Sequence, residues 1–259
     1  MGELRISDIL PVECLLGSTI AIVYDTYSSA WQIPLVFLKY VLERGGFGVI
    51  SNYTLPMSSL IRKASSIGLN IKKELLNGRM AIIDLFGTRY SASKPNLPNV
   101  FYLDKVEPET INPKIERIYT LSLSGVIGDR HLIRVIYTLD GAAMMLGEDH
   151  TLKLLNQTPS YTSRVLENST AVLSLNQDVV SKRFVAWTSG ISDVVLTVRT
   201  FLKEGEMREY LYVTAAPCED FEPAVYILRV TRKKGIERFR IRKVNGSAPE
   251  LGPSAEEKR

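Results

Sequence analysis

The chain has 259 residues, 45% hydrophobic and 23% charged, a composition that excludes disorder, collagen and coiled coil and a length that suits one large α/β domain or two small ones. Net charge is +4, but residues 229–243 alone hold eight Lys and Arg against Glu237, a segment of +7 that leaves −3 on the rest. The sequence therefore describes a mildly acidic body with one basic patch.

Cys14 and Cys218 share no C-x-x-C and lie far apart, which suggests neither a disulfide framework nor a zinc knuckle and fits a reducing cytosol. The apolar stretch from Ile9 to Tyr24 is interrupted by Pro11 and Glu13 and preceded only by Arg5, unlike a signal peptide. No apolar run approaches the ~20 residues of a membrane span, and Ile6 stands where a myristoylation site needs Ser or Thr. A cytoplasmic protein without membrane contact is expected.

Along the chain, the β-branched run Ser18–Tyr24 predicts a strand covered on both faces. A turn, Asp25–Trp31, leads to a helix over Gln32–Arg44, with Leu35, Leu38, Val41 and Leu42 at helical spacing and Gly45-Gly46 as its stop. Phe47–Ser51 predicts a second strand, residues 56–77 an amphipathic helix that breaks near Gly68, and Met80–Phe86 a third strand. Such β-α-β-α-β order implies a parallel sheet with helices on both faces. Gly87 to Pro113 reads as a long loop with a short strand at 100–103. Ile115–Gly125 reads as a helix, Leu132–Leu139 as a strand, 141–156 and 159–167 as helices, and Ala171–Leu175 as a strand. Beyond Ile191 four β-like runs (194–202, 209–216, 224–231 and 236–244) joined by short turns predict an antiparallel meander. The Gly-, Pro- and charge-rich tail 245–259 is expected to be disordered.

In a nucleotide-binding α/β protein the first strand-turn-helix holds a Gly-rich turn that aims backbone N–H groups at phosphate. Here the run from Leu16 to Leu38, with Gly17-Ser18 entering the strand and Phe37-Leu38 in the helix, resembles the opening of archaeal KaiC-like proteins of the RecA ATPase superfamily. In that family a phosphate loop G-x-x-x-x-G-K-T follows the strand. Without gaps, Tyr24 falls on the first loop glycine, Ser29 on the second, Ala30 on the lysine and Trp31 on the magnesium-binding hydroxyl. Neither Ala30 nor Trp31 can supply the charge or the ligand that those positions require. No Gly-Lys dipeptide occurs anywhere in the chain. Ser51-Asn-Tyr-Thr54, where the family carries a glutamate that polarises water, contains no acid.

Other parts of the resemblance are kept. Arg134–Leu146 looks like the Walker B strand and places Asp140 on the magnesium-side aspartate, with Glu148 and Asp149 at the next helix's polar start. Ser189–Leu196 is similar to the signature that enters the β-rich end. Arg232-Lys-Lys-Gly235 followed by Arg238-Phe-Arg-Ile241 resembles the family's basic hairpin, which reaches a nucleotide held by a neighbouring subunit; Arg232 and Lys234 take its two places. The resemblance covers roughly residues 4–244.

Each residue also has a structural reading. Asp140 suits a helix cap as well as a ligand-facing acid. Arg238, Arg240 and Arg242 alternate with Phe239 and Ile241, so they share one strand face, either solvated or binding phosphate or an acidic partner. Ser28 and Ser29 lack a G-x-S-x-G context and read as loop residues. His131 and His150 lack metal-ligand spacing. Tyr24, Tyr27 and Trp31 are expected to fill the vacated nucleotide pocket.

The expectation is a three-layer α/β fold of RecA/KaiC type, with a mainly parallel central sheet and an antiparallel β extension at about 194–244 of a single domain, 1–244. The function expected is that of a catalytically inactive pseudo-ATPase without ATP, magnesium or another metal, acting by binding a protein partner, an active KaiC/RecA-like relative among the candidates. It is expected to be a monomer or dimer. Two alternatives remain: a nucleic-acid-binding module that uses the basic hairpin, and a ligand sensor or enzyme that uses the remodelled cleft.

Overall fold

The sequence Thr-Ile-Ala-Ile-Val-Tyr has no charge and forms β1 (Thr19–Tyr24), a strand buried along nearly its whole length. Strand alternation sends Ile20, Ile22 and Tyr24 to one face and Ala21 and Val23 to the other. The computed structural model describes residues 5, 8–10, 15–165, 169–203, 205–219, 221–245, 248–249 and 251. In it β1 lies inside a ten-stranded sheet with β2 (Phe47–Asn52), β3 (Met80–Asp84), β4 (Val100–Phe101), β5 (Leu132–Tyr137), β6 (Ser169–Asn176), β7 (Val194–Lys203), β8 (Glu206–Ala215), β9 (Ala224–Lys233) and β10 (Ile236–Lys243). The spatial order is β4-β3-β2-β5-β6-β1-β7-β8-β9-β10. Pairs from β4 to β7 are parallel, and those from β7 to β10 antiparallel. The sheet is therefore mainly parallel with an antiparallel extension, as the hydrophobic patterning predicts.

Helices cover the parallel part on both faces. Below it lie α1 (Ile33–Glu43), α2 (Met57–Ser66) and α3 (Ile71–Leu76). Phe37, Leu38, Leu60 and Ile71 join Ile20, Ile22, Ile50 and Leu196 in one core. Gly68, at φ +76°, supplies the left-handed turn that separates α2 from α3. Beyond β3 comes a short helix, α4 (Leu85–Arg89). On the opposite face lie α5 (Ile111–Ile118), which runs through a π-helical stretch (Tyr119–Leu123) into α6 (Ser124–Ile127), then α7 (Leu139–Leu146), α8 (Glu148–Val165) and α9 (Lys182–Gly190). Their apolar sides cover Phe47, Val49, Ile83, Val23, Leu173 and Leu175.

Several boundaries differ from expectation for local reasons. β3 ends at Asp84 rather than Phe86, because the Asp84 carboxylate accepts from Gly87 N at 2.9 Å and starts α4. The helix expected at 141–156 divides at Gly147, whose φ of +87° closes α7; α8 then runs unbroken to Val165. α9 has no sequence counterpart above. Its start is fixed by Ser181, which accepts from Phe184 N and so caps a short segment containing Phe, Val and Trp. Cys218 is disulfide-bonded, against the expectation of no disulfide, since separation along the chain does not limit proximity in the fold; Cys14 lies outside the described residues. Most of the tail expected to be disordered is also outside them, yet Tyr212 OH donates to the Pro249 carbonyl at 2.7 Å. No helix among the described residues is long and apolar enough to cross a membrane.

Phe37 is fully buried between α1 and the sheet. Phe37→Ala is expected to lower unfolding free energy by about 3–5 kcal/mol, read from urea denaturation.

Candidate functional site

β1 delivers its C-terminal end to the turn Asp25–Gln32, whose last four residues form a turn of 3-10 helix that runs straight into α1. In this position unpaired N–H groups and the helix dipole together attract an anion. Here the chain itself supplies the acceptors. Thr26 N donates to Asp178 Oδ2 at 2.8 Å, Tyr27 N to Asp25 Oδ1 at 3.1 Å and Ser28 N to the Asp25 carbonyl at 3.1 Å. Ser29 N donates to both Glu209 carboxylate oxygens at 3.1 Å, and Ala30 N to Ser28 Oγ at 3.0 Å. Five consecutive N–H groups are thus satisfied, three of them by carboxylates.

Glu209 is the centre of this arrangement. It projects from β8 and also accepts the hydroxyls of Ser28 at 3.0 Å and Ser29 at 2.9 Å. The neighbouring Asp25 accepts from Thr200 Oγ1 at 2.8 Å, and Thr200 lies opposite Glu209 in the β7–β8 register. The turn is therefore fastened to the antiparallel extension by two acids. Burial is the largest influence on Glu209; it outweighs the hydrogen bonds from Ser29 and Ser28 and, with help from Asp25, raises the carboxyl above its ordinary value.

Of the four positions that the sequence resemblance sets against a phosphate loop, Ser29 binds Glu209 and Ala30 is fully buried. Tyr24 is buried beside Tyr137 and Asp140, and its hydroxyl is pushed far above the usual range, chiefly by desolvation. Trp31 packs against the core, and Lys63 from α2 sits over its ring at 3.4 Å. Tyr27, expected to fill the same pocket, is instead 76% exposed, because its N–H is held by Asp25 and the turn carries its ring outward.

Asp140 is not the cap of α7. That place belongs to Thr138, whose hydroxyl accepts from Gly141 N, and Asp140 stands in the first turn. Its Oδ1 accepts from Asn176 N at 3.1 Å. Asn176 Nδ2 in turn donates to Thr26 Oγ1 at 3.1 Å, and Asn176 Oδ1 accepts from Asp178 N at 3.0 Å. The Walker-B-like acid is thus joined to the turn through Asn176, and burial raises its carboxyl above the ordinary range. Glu148 accepts from Ser181, and Asp149 pairs with Arg183, so both acids tie α8 to α9. At the end of β2, where the stretch 51–54 has no acid, Asp84 comes alongside from β3 and accepts from Asn52 Nδ2 at 2.8 Å.

The basic residues lie apart from the turn, on the last hairpin. Arg232, Lys234, Arg238 and Arg242 are exposed and Arg240 is partly so. His131 bonds with Thr170 Oγ1 at 2.8 Å. Sequence reasoning missed Glu209, Asp25 and Asp178. Asp25 could have been read as a turn-forming acid directly after the strand, whereas Glu209 lies 180 positions from Ser29 and carries no local signal.

A mainly parallel sheet between two helical layers, with a strand-turn-helix at its centre and an antiparallel extension at one side, is a three-layer fold of RecA/KaiC type. No family model and no curated protein matches the chain, but solved structures do. The uncharacterised protein PH0321 from Pyrococcus horikoshii, solved in complex with an unknown peptide, superposes with a TM-score of 0.71 at 21% identity over 89% of this chain and 93% of its own. The KaiC-like protein PH0186 from Pyrococcus horikoshii OT3 superposes at 0.63 with 15% identity, over 89% of this chain and 95% of its own. The fold is KaiC-like.

Because the Glu209 carboxyl titrates above the ordinary glutamate value of 4.5, the folded chain holds that proton more tightly than the unfolded one. Its contribution to stability must then fall as pH rises from 4.5 through the raised folded value. Glu209→Gln should flatten this part of the profile, and melting temperature against pH for the two proteins checks it; parallel curves would contradict the assignment.

Proposed function

We propose that this KaiC-like chain is a pseudo-ATPase: a protein of archaeal type that keeps the fold, does not hydrolyse ATP, and works in a regulatory or scaffolding role by binding another macromolecule. The observation that carries this reading is the closed turn. A nucleotide phosphate there would have to displace Glu209 from Ser28 and Ser29 and would face Asp25 and Asp178, all of them repelling it. The lysine and magnesium ligand that would offset this repulsion are replaced by Ala30 and Trp31.

A protein partner is favoured by what surrounds the turn. Tyr27 is 76% exposed, and Leu202 and Met207, directly opposite one another one pair beyond Phe201 and Arg208, are 77% and 59% exposed. The exposed pair Leu202 and Met207 suits a protein contact. An active KaiC/RecA-like relative is the partner we favour, with this chain as monomer or dimer. A cytoplasmic location is compatible with the Cys218 disulfide, since intracellular proteins of hyperthermophilic archaea are disulfide-rich.

Two measurements test the reading. Purified protein should show no Mg-ATP turnover and no rise in melting temperature with ATP; turnover that Asp140→Asn abolishes would sink the proposal. Glu209→Ala should open an anion site, so that inorganic phosphate raises the melting temperature of the variant and leaves the wild type unchanged.

A further inference from the structure

The strand register gathers arginines that are scattered in sequence. Tyr210 lies opposite Arg199 on one side and Ile227 on the other, and Ile227 lies opposite Arg242. These four side chains form one row on a single face of the antiparallel extension. In the next row Arg240 stands directly opposite Arg229, and continuing the pairing of Glu209 with Leu228 brings Arg208 beside Arg229. Arg238 follows opposite Thr231. The other face of the same strands carries Leu211, Leu228, Phe239 and Ile241, all buried in the core.

Six guanidiniums thus share one face. Along β10 they recur about every 7 Å, and across strands about every 5 Å. Like charges set directly opposite in an antiparallel pair destabilise the sheet, and little here relieves them. Arg208 reaches Glu206 at 3.4 Å. Among the described residues, no carboxylate lies within ion-pair distance of Arg199, Arg229, Arg238, Arg240 or Arg242. Within the face, Tyr210 and Tyr212 are buried, with Phe201 edge-on to Tyr210 at 5.6 Å. Those two tyrosine rings are therefore closed to stacking on a base.

We infer that this arginine face binds the phosphate backbone of a nucleic acid, without reading its bases. A regular array of bidentate donors matches repeated phosphates. A protein interface would need apolar anchors at its centre, and the exposed Ile236, at the hairpin turn, lies instead against Gly68 between α2 and α3. Interfaces with nucleic acid are instead polar and strongly positive. Apart from these six arginines the chain carries a net −2, which repels the same polymer elsewhere, so the arginine face sets the orientation. The inference is independent of the closed turn and holds whether or not nucleotide binds there.

Fluorescence anisotropy with a short labelled RNA, the same sequence as single-stranded DNA, and its duplex tests the inference, with the RNA and DNA arms distinguishing the two sources of phosphate. Binding at about 10 μM or tighter is expected at physiological salt, weakening steeply as salt rises. The double variant Arg229→Gln/Arg240→Gln should weaken it at least about tenfold and flatten the log–log salt slope by about 1.4 for single strands. Its melting temperature should not fall, because the substitution removes repulsion, and Lys72→Gln/Lys73→Gln on α3 should bind as the wild type does. No binding to any of the three, unchanged binding by the arginine variant, or equal binding of polyglutamate at the same salt would each overturn the inference.

Discussion

Backbone N–H groups at the start of a helix must find acceptors, and the turn after β1 has five in succession to satisfy. A nucleotide-binding protein leaves that demand for phosphate. This chain meets it internally, with Asp25, Asp178, Glu209 and the Ser28 hydroxyl as acceptors. The acids come from three different places: the turn itself, the loop after β6, and the middle of β8. Satisfying the turn therefore fixes the relation between the parallel sheet, the loop that follows its neighbour strand, and the antiparallel extension.

This constraint explains why the residues of the turn form a coherent set. A glycine at position 29 would remove the hydroxyl that Glu209 receives, and a lysine at position 30 would require a long cation in a site where Ala30 is fully buried. The turn is thus a locally consistent structure of its own. Asp140 fits the same logic: through Asn176 it belongs to the network that holds Thr26.

The strands and the first helices were readable because each has a strong local pattern: the apolar run at β1, the helical spacing of Leu35, Leu38, Val41 and Leu42, and the alternation of Arg238, Phe239, Arg240 and Ile241. Long-range partners were not. Nothing around Glu209 distinguishes it from an ordinary charged strand residue, and only the β7–β8 pairing shows that it meets Ser29. The same holds for Arg229 and Arg240, whose adjacency depends on register. α9 escaped because its nine residues are few and mixed in character and its start depends on a single serine cap.

The sheet ends differently on its two sides. β4, at one edge, pairs through only two residues, too few to recruit another strand. β10, at the other, is eight residues long and, among the described residues, has no strand on its outer side, the form of edge most open to pairing with a further chain. Its own sequence works against this: two copies of β10 laid side by side in antiparallel with Arg240 opposite Arg240 would bring arginine against arginine at alternate positions, an arrangement that like-charge repulsion disfavours.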